Sequence, residues 1–186
     1  MTMRTASETI SIAEVTDPAM AATLAEFSAA TFTQTFGHLY QAEDIRLFLT
    51  EKHAVEIYRD LITDKQSAVW LARDEAGAAI GYAVAGPCRL PAPDMPDNAG
   101  ELSRLYVSEA ARGAGLGQRM LAYVFAWLDA RYDPVYLSVY SQNHGAQRLY
   151  QRYGFEKVHD YFFMVGNHAD AEFIMKRSRQ SARDFA

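Results

Sequence analysis

The densest run of residues able to do chemistry is Arg112-Gly113-Ala114-Gly115-Leu116-Gly117-Gln118-Arg119. Three alternating glycines allow backbone conformations and close approaches that a side chain forbids. A helix starting at such a turn presents unpaired N–H groups and a partial positive charge, which together suit a pyrophosphate. Arg112 and Arg119 add full charge on the same side. The spacing alone also fits a turn that simply lets a helix pack closely. Two familiar phosphate motifs fail. Walker A needs Lys and then Ser or Thr after its last glycine, whereas Gln118 and Arg119 follow Gly117. The dinucleotide fingerprint needs GxGxxG after the first strand and an acid about 20 residues on. Here the run is GxGxG in mid-chain, and Asp129, near that distance, reads as a solvated helix residue. Cys88 is the single cysteine and sits in a proline-rich stretch without a matching base, so no disulfide, cysteine zinc cluster or covalent cysteine route is expected. His38, His53, His144, His159 and His168 have no zinc-binding spacing, and no metal is expected.

The elements that must position this turn follow from periodicity. Ile10, Ile12 and Val15 mark a short strand. Asp17 and Pro18 have the types of an N-cap and a first helical residue, and helical spacing then runs to Gly37. A second helical stretch covers about 41–63, with a break expected near Thr50. Ser67–Ala72 and Ala79–Ala85 read as a hairpin around Asp74–Gly77. Pro87–Ala99 holds four of the six prolines and reads as a mobile loop. Next come a strand over Glu101–Val107, a helix over 115–131, a strand over Val135–Tyr140 and a helix over 143–153. Strands over Glu156–Val165 and Glu172–Met175 close the chain, followed by a polar tail. Hairpins followed by strand–helix units predict an α/β fold, with a mixed, mostly antiparallel sheet flanked by helices. The expected division is one domain over 1–178 and a tail over 179–186.

Composition sets the outer limits. Hydrophobic residues make up 49% of the 186, and charged residues 22%, the profile of an ordinary globular chain rather than a disordered or collagen-like one. No apolar run reaches the ~20 residues of a membrane span, and the first fifteen residues lack the apolar stretch of a signal peptide, so a cytoplasmic location is expected. The net charge of −5 argues against a nucleic-acid partner. Its distribution is uneven: residues 1–66 carry ten carboxylates against five Lys and Arg, whereas 101–153 carry four against six.

Arg112-Gly-Ala-Gly115-Leu-Gly117 and, further on, Tyr136-Leu-Ser-Val-Tyr-Ser-Gln-Asn143-His-Gly-Ala-Gln-Arg-Leu-Tyr150-Gln-Arg-Tyr-Gly154-Phe155 stand in the order and spacing of the GNAT N-acetyltransferases, which the chain resembles over about residues 8–177. The resemblance implies an acyl-CoA N-acyltransferase fold in which two central strands splay and admit the pantetheine arm of acetyl-CoA. It implies that the backbone of Leu105, Tyr106 and Val107 pairs with pantetheine amides. Amides of Arg112, Gly113, Gly115, Gly117 and Gln118 would hold the pyrophosphate, with Asn143 beside the arm. Tyr150 takes the position whose hydroxyl protonates the departing thiolate. Glu101 takes a position that often carries a glutamate, and is expected to deprotonate the amine directly or through water. A backbone amide near Leu105–Val107 would serve the developing oxyanion.

The acceptor side follows less sharply. Glu43, Asp44, Glu51 and Glu56 on the early helices suit a cation. Thr31–Phe36, Tyr161–Gly166 and Phe173–Met175 resemble segments of the bacterial spermine/spermidine acetyltransferases of the PaiA type. A polyamine or other small cationic amine is therefore expected as acceptor. The alternatives are a ribosomal-protein or peptide N-terminal acetyltransferase and a non-catalytic acyl-CoA-binding regulator. Late strands rich in Tyr and Phe offer a surface for a homodimer.

Overall fold

The computed structural model describes residues 10–179; the residues before it, and the tail from 180 on, lie outside the described residues. Among the described residues, seven strands form one sheet in the order β1-β2-β3-β4-β5-β7-β6. They are β1 (Ser11–Glu14), β2 (Ala68–Arg73), β3 (Ala79–Pro87), β4 (Gly100–Val107), β5 (Val135–Tyr140), β6 (Glu156–Val165) and β7 (His168–Arg177). All neighbours are antiparallel except β4 and β5. Among the described residues the α-helices are α1 (Ala21–Phe36), α2 (Ala42–Lys52), α3 (Val55–Thr63), α4 (Leu116–Asp129) and α5 (His144–Arg152). This is the expected α/β fold.

Each face of the sheet receives a helical stripe. On α1, Ala21, Leu24, Ala25, Ser28, Thr31 and Phe32 are buried at i, i+3, i+4, i+7 spacing. Ala21, Leu24 and Ala25, with Tyr58 of α3, cover Val69, Leu71, Tyr82 and Val84, while Phe32 packs with Phe48 and Val165. On α4, Leu116, Met120, Leu121, Val124, Phe125 and Leu128 cover the opposite face, with Phe155 completing the layer. Asp17 caps the entry to α1 by accepting the Ala19 N–H at 2.9 Å, with Pro18 in the first turn as expected.

The structure departs from the sequence expectations in four places. The break between the early helices is at His53–Ala54, not Thr50, whose hydroxyl donates to the Arg46 carbonyl within α2. The break lets His53 turn inward, where Nδ1 lies 2.9 Å from Ser28 Oγ and 3.3 Å from the Tyr58 hydroxyl. Burial, and secondarily the Arg104 charge, lower the His53 pKa to about 3, so the ring is neutral. Asp129 is a partly exposed helix acid but not a free one: it accepts from Arg177, which is only 5% exposed and stacks 4.4 Å from the Phe125 ring. The proline-rich loop is anchored, because Leu90 and Ala99 are buried against Tyr136 and Ile174. Finally, β7 begins at His168 rather than Glu172. Among the described residues, no helix is long and apolar enough to cross a membrane. The edge strand β6 exposes Val158, Phe162 and Met164.

Candidate active site

The site begins where two neighbouring strands stop pairing. β4 and β5 run parallel but meet only at Gly100↔Val135 and Glu101↔Tyr136, and then diverge. On its other side β4 keeps its ladder to β3, with an irregularity that pairs Ala85 with Leu102 and Val84 with Arg104. The divergence opens a cavity of about 1150 Å³, lined by the ends of β4 and β5, the glycine turn, α5, the end of α1 and part of β7.

The glycine turn forms part of its wall. Gly113 and Gly115 have φ of +82° and +75°, a region L side chains rarely adopt, and the space beside both is open. Gly117 has no such constraint; a Cβ there would make ordinary contact with Val107. The first backbone bond into α4 runs from the Arg119 N–H to the Gly115 carbonyl at 3.1 Å. The N–H groups of Leu116, Gly117 and Gln118 therefore have no intrahelical acceptor, and all three residues line the cavity. Leu105, Tyr106, Val107, Arg112, Gly113 and Gly115 line it too. The two expected cations behave differently. Arg112 stays at the cavity, tied to α1 by a 2.6 Å bond to Thr35 Oγ1. Arg119 turns away and donates to the Ile10 carbonyl at 3.1 Å. Arg152, at the end of α5, lines the cavity instead. These donors and cations fit an anionic cosubstrate.

Asn143 and Tyr150 also line the cavity. Asn143 is the N-cap of α5; its Oδ1 accepts the Ala146 N–H at 3.1 Å, leaving its NH₂ as a donor. Tyr150 is buried, and burial pushes its pKa up to about 12, so its hydroxyl stays protonated across the neutral range. Its ring packs edge-on against Phe155 at 6.1 Å.

Glu101 is not brought to Tyr150. It lines a second cavity of about 460 Å³, on the side of the proline-rich loop, where Oε2 accepts the Arg89 N–H at 2.8 Å. Burial, opposed by that bond, raises its pKa. The two cavities share Ser103 and Arg104, and Arg104 is held by bonds to the Tyr58 hydroxyl (2.6 Å) and the Lys52 carbonyl (2.7 Å).

The large cavity also has an aromatic wall of Phe32, Phe36, Tyr40 and Phe163, and two carboxylates, Asp170 and Glu172. The early-helix acids do not line it. Glu43 pairs with Arg46 at 2.6 Å, Glu51 with Lys52 at 2.6 Å and Glu56 with Arg59 at 3.8 Å, all at the surface. Asp44 accepts the Asn167 N–H at 2.7 Å, which holds α2 against the β6–β7 turn. Asp170 and Glu172 are same-face positions of β7, and an alternating acid–x–acid ahead of Ile174 was the signal for them in the sequence.

Comparison with known proteins agrees with this geometry. A family model described as the acetyltransferase (GNAT) family matches residues 31–155. The chain belongs to the GNAT acetyltransferase family. It is an acetyl-CoA-dependent N-acetyltransferase of the GNAT fold. An uncharacterized N-acetyltransferase of Mycobacterium tuberculosis is 30% identical over 158 residues, which are 83% of this chain and 94% of that protein. The spermine/spermidine N(1)-acetyltransferase of Bacillus subtilis is 36% identical over 84 residues, 43% of this chain and 54% of that protein. In fold, the PaiA N-acetyltransferase of Thermoplasma acidophilum, solved with coenzyme A, superposes with a TM-score of 0.71 at 21% identity, covering 91% of this chain and 99% of that one. A GNAT acetyltransferase from Kribbella flavida gives 0.64 at 20% identity, covering 91% and 97%.

Proposed function

We propose that this GNAT enzyme acetylates a small cationic amine of the polyamine class. The observation that carries the reading is a group of residues in the cavity wall. Asp170 and Glu172 supply negative charge there, and aromatic faces line an approach suited to an alkylammonium chain. The matched relative from Bacillus subtilis that is named for spermine and spermidine supports the same class.

In this reading the turn amides from Gly113 to Gln118, with Arg112, hold the pyrophosphate, and the free β4 edge at Leu105–Val107 pairs with the pantetheine amides. Asn143 donates to the arm through its NH₂. Acetyl-CoA supplies the activated thioester. Tyr150 gives its proton to the departing sulfur, and a β4 amide faces the carbonyl oxygen as negative charge develops.

A panel of acceptors tests the reading: spermidine, spermine, short monoamines, free amino acids and a peptide with a free N-terminus, each followed by mass detection of the acetylated product. Spermidine or spermine is expected to be acetylated fastest. Activity confined to the peptide would replace the polyamine reading with N-terminal acetylation. Acetyl-CoA binding without turnover of any amine would favour a regulator.

A further inference from the structure

We infer that Glu172, rather than Glu101, takes the proton from the acceptor amine. The inference deepens the amine-acceptor reading and rests on it.

Three observations carry it. The first is placement. Tyr140↔Glu172 is a β5–β7 pair beyond the point where β5 leaves β4, so Glu172 faces the opened side of the sheet and lines the cavity that holds Tyr150. Glu101 lines the other cavity. The second is an orphaned acceptor. Glu172 Oε2 is buried without a hydrogen-bond partner among the described residues, while Asp170 is committed to the Tyr40 hydroxyl and to His168 Nε2 at 3.3 Å. A buried carboxylate oxygen without a donor is costly to keep and is relieved by an arriving N–H. The third is the company of rings. Phe36 meets Tyr106 and Tyr140 edge-on, each at 6.3 Å, beside the same cavity.

The charge state supports this geometry. Burial raises the Glu172 carboxyl to about 7; a hydrogen bond from the Ser138 hydroxyl to this carboxyl opposes the rise, and the Asp170 charge adds to it. The other titratable groups facing it are Tyr40 from the turn after α1, Tyr106 on β4 and Tyr161 on β6; burial raises the pKa of all three, and Glu172 raises them further. A base poised near neutrality suits proton removal at working pH.

The protons balance. Glu172 takes one proton from the ammonium, and the freed nitrogen lone pair forms the new C–N bond. The C–S electron pair leaves with sulfur, which receives the Tyr150 proton. Nitrogen's second proton restores Tyr150, and the proton on Glu172 passes to solvent. Ammonium and thioester become amide, thiol and one released proton.

The test is the pH dependence of kcat/KM on spermidine, or on the fastest amine of the panel should spermidine fail, so that loss of the polyamine reading is seen separately in the wild type. The wild type is expected to show an ascending limb near pH 7. Glu172→Gln is expected to lose that limb and at least about tenfold of kcat at pH 7.5 while its acetyl-CoA Kd stays within twofold. Glu101→Gln is expected to keep the limb, whatever its rate. Should Glu172→Gln not hold acetyl-CoA, Glu172→Asp is read in its place and is expected to keep the limb at a lower kcat. A limb retained in Glu172→Gln, lost in Glu172→Asp, or lost in Glu101→Gln overturns the inference.

Discussion

Tyr150→Phe is expected to lower kcat by about a hundredfold or more while leaving acetyl-CoA affinity within about twofold. The ring is buried against Phe155, so phenylalanine keeps the packing and removes only the hydroxyl. That hydroxyl has no protein partner among the described residues, so its loss leaves no buried group unsatisfied. What is lost is the proton for sulfur. Because burial holds the group at about 12, it stays protonated throughout the neutral range and contributes no descending limb there. Single-turnover kinetics in saturating acetyl-CoA check this directly. An unchanged chemical step would remove Tyr150 from the mechanism.

Gly115→Val is expected to act on the opposite parameter, raising the KM for acetyl-CoA about a hundredfold with kcat at saturation little altered. Gly115 is the N-cap of α4 with φ of +75°, where a side chain costs roughly 1–2 kcal/mol and a β-branched one more. The chain relieves that strain by rotating the turn, which turns the free N–H groups of residues 116–118 away from a bound anion. Losing one or two charge-assisted bonds at about 1.5–3 kcal/mol each gives the stated factor. Isothermal titration with acetyl-CoA checks it. Gly117→Ala provides contrast, since a Cβ there meets only Val107 Cγ2 at 3.9 Å.

These two residues were legible in the sequence because their roles are local. A turn of three glycines, and a helix running from the Asn143 cap to Gly154, are written in contiguous residues. What was not legible arises from pairing and burial between distant segments. Glu101 was expected at the chemistry because it enters the central strand. Leu102 and Leu105 both pack on the α4 side, which strict alternation forbids, so the irregularity around Ser103 resets the faces. Glu101 stands before that reset, beside the loop that carries Arg89. Asp170 and Glu172 went unread because the last strand was begun two residues too late for Asp170, and because the orphaned state of Glu172 depends on β5–β7 pairing. The early-helix acids were prominent in the charge count, yet three of them pair with neighbours three residues away or adjacent on their own helices. A sum of charges does not separate an acid with a neighbour from one facing a cavity. The break at His53 is of the same kind, being set by a contact with Ser28 from another helix.

The cavity thus brings together donors for an anion, a protonated phenol and carboxylates. The acceptor is expected to be selected for positive charge beyond that of the reacting ammonium. The most direct measurement is kcat/KM for spermidine against a monoamine of the same chain length, in the wild type and in Asp170→Asn. A preference for spermidine of at least about tenfold, corresponding to roughly 1.4 kcal/mol, is expected in the wild type and is expected to fall in Asp170→Asn. Equal kcat/KM for the two amines in the wild type would contradict it.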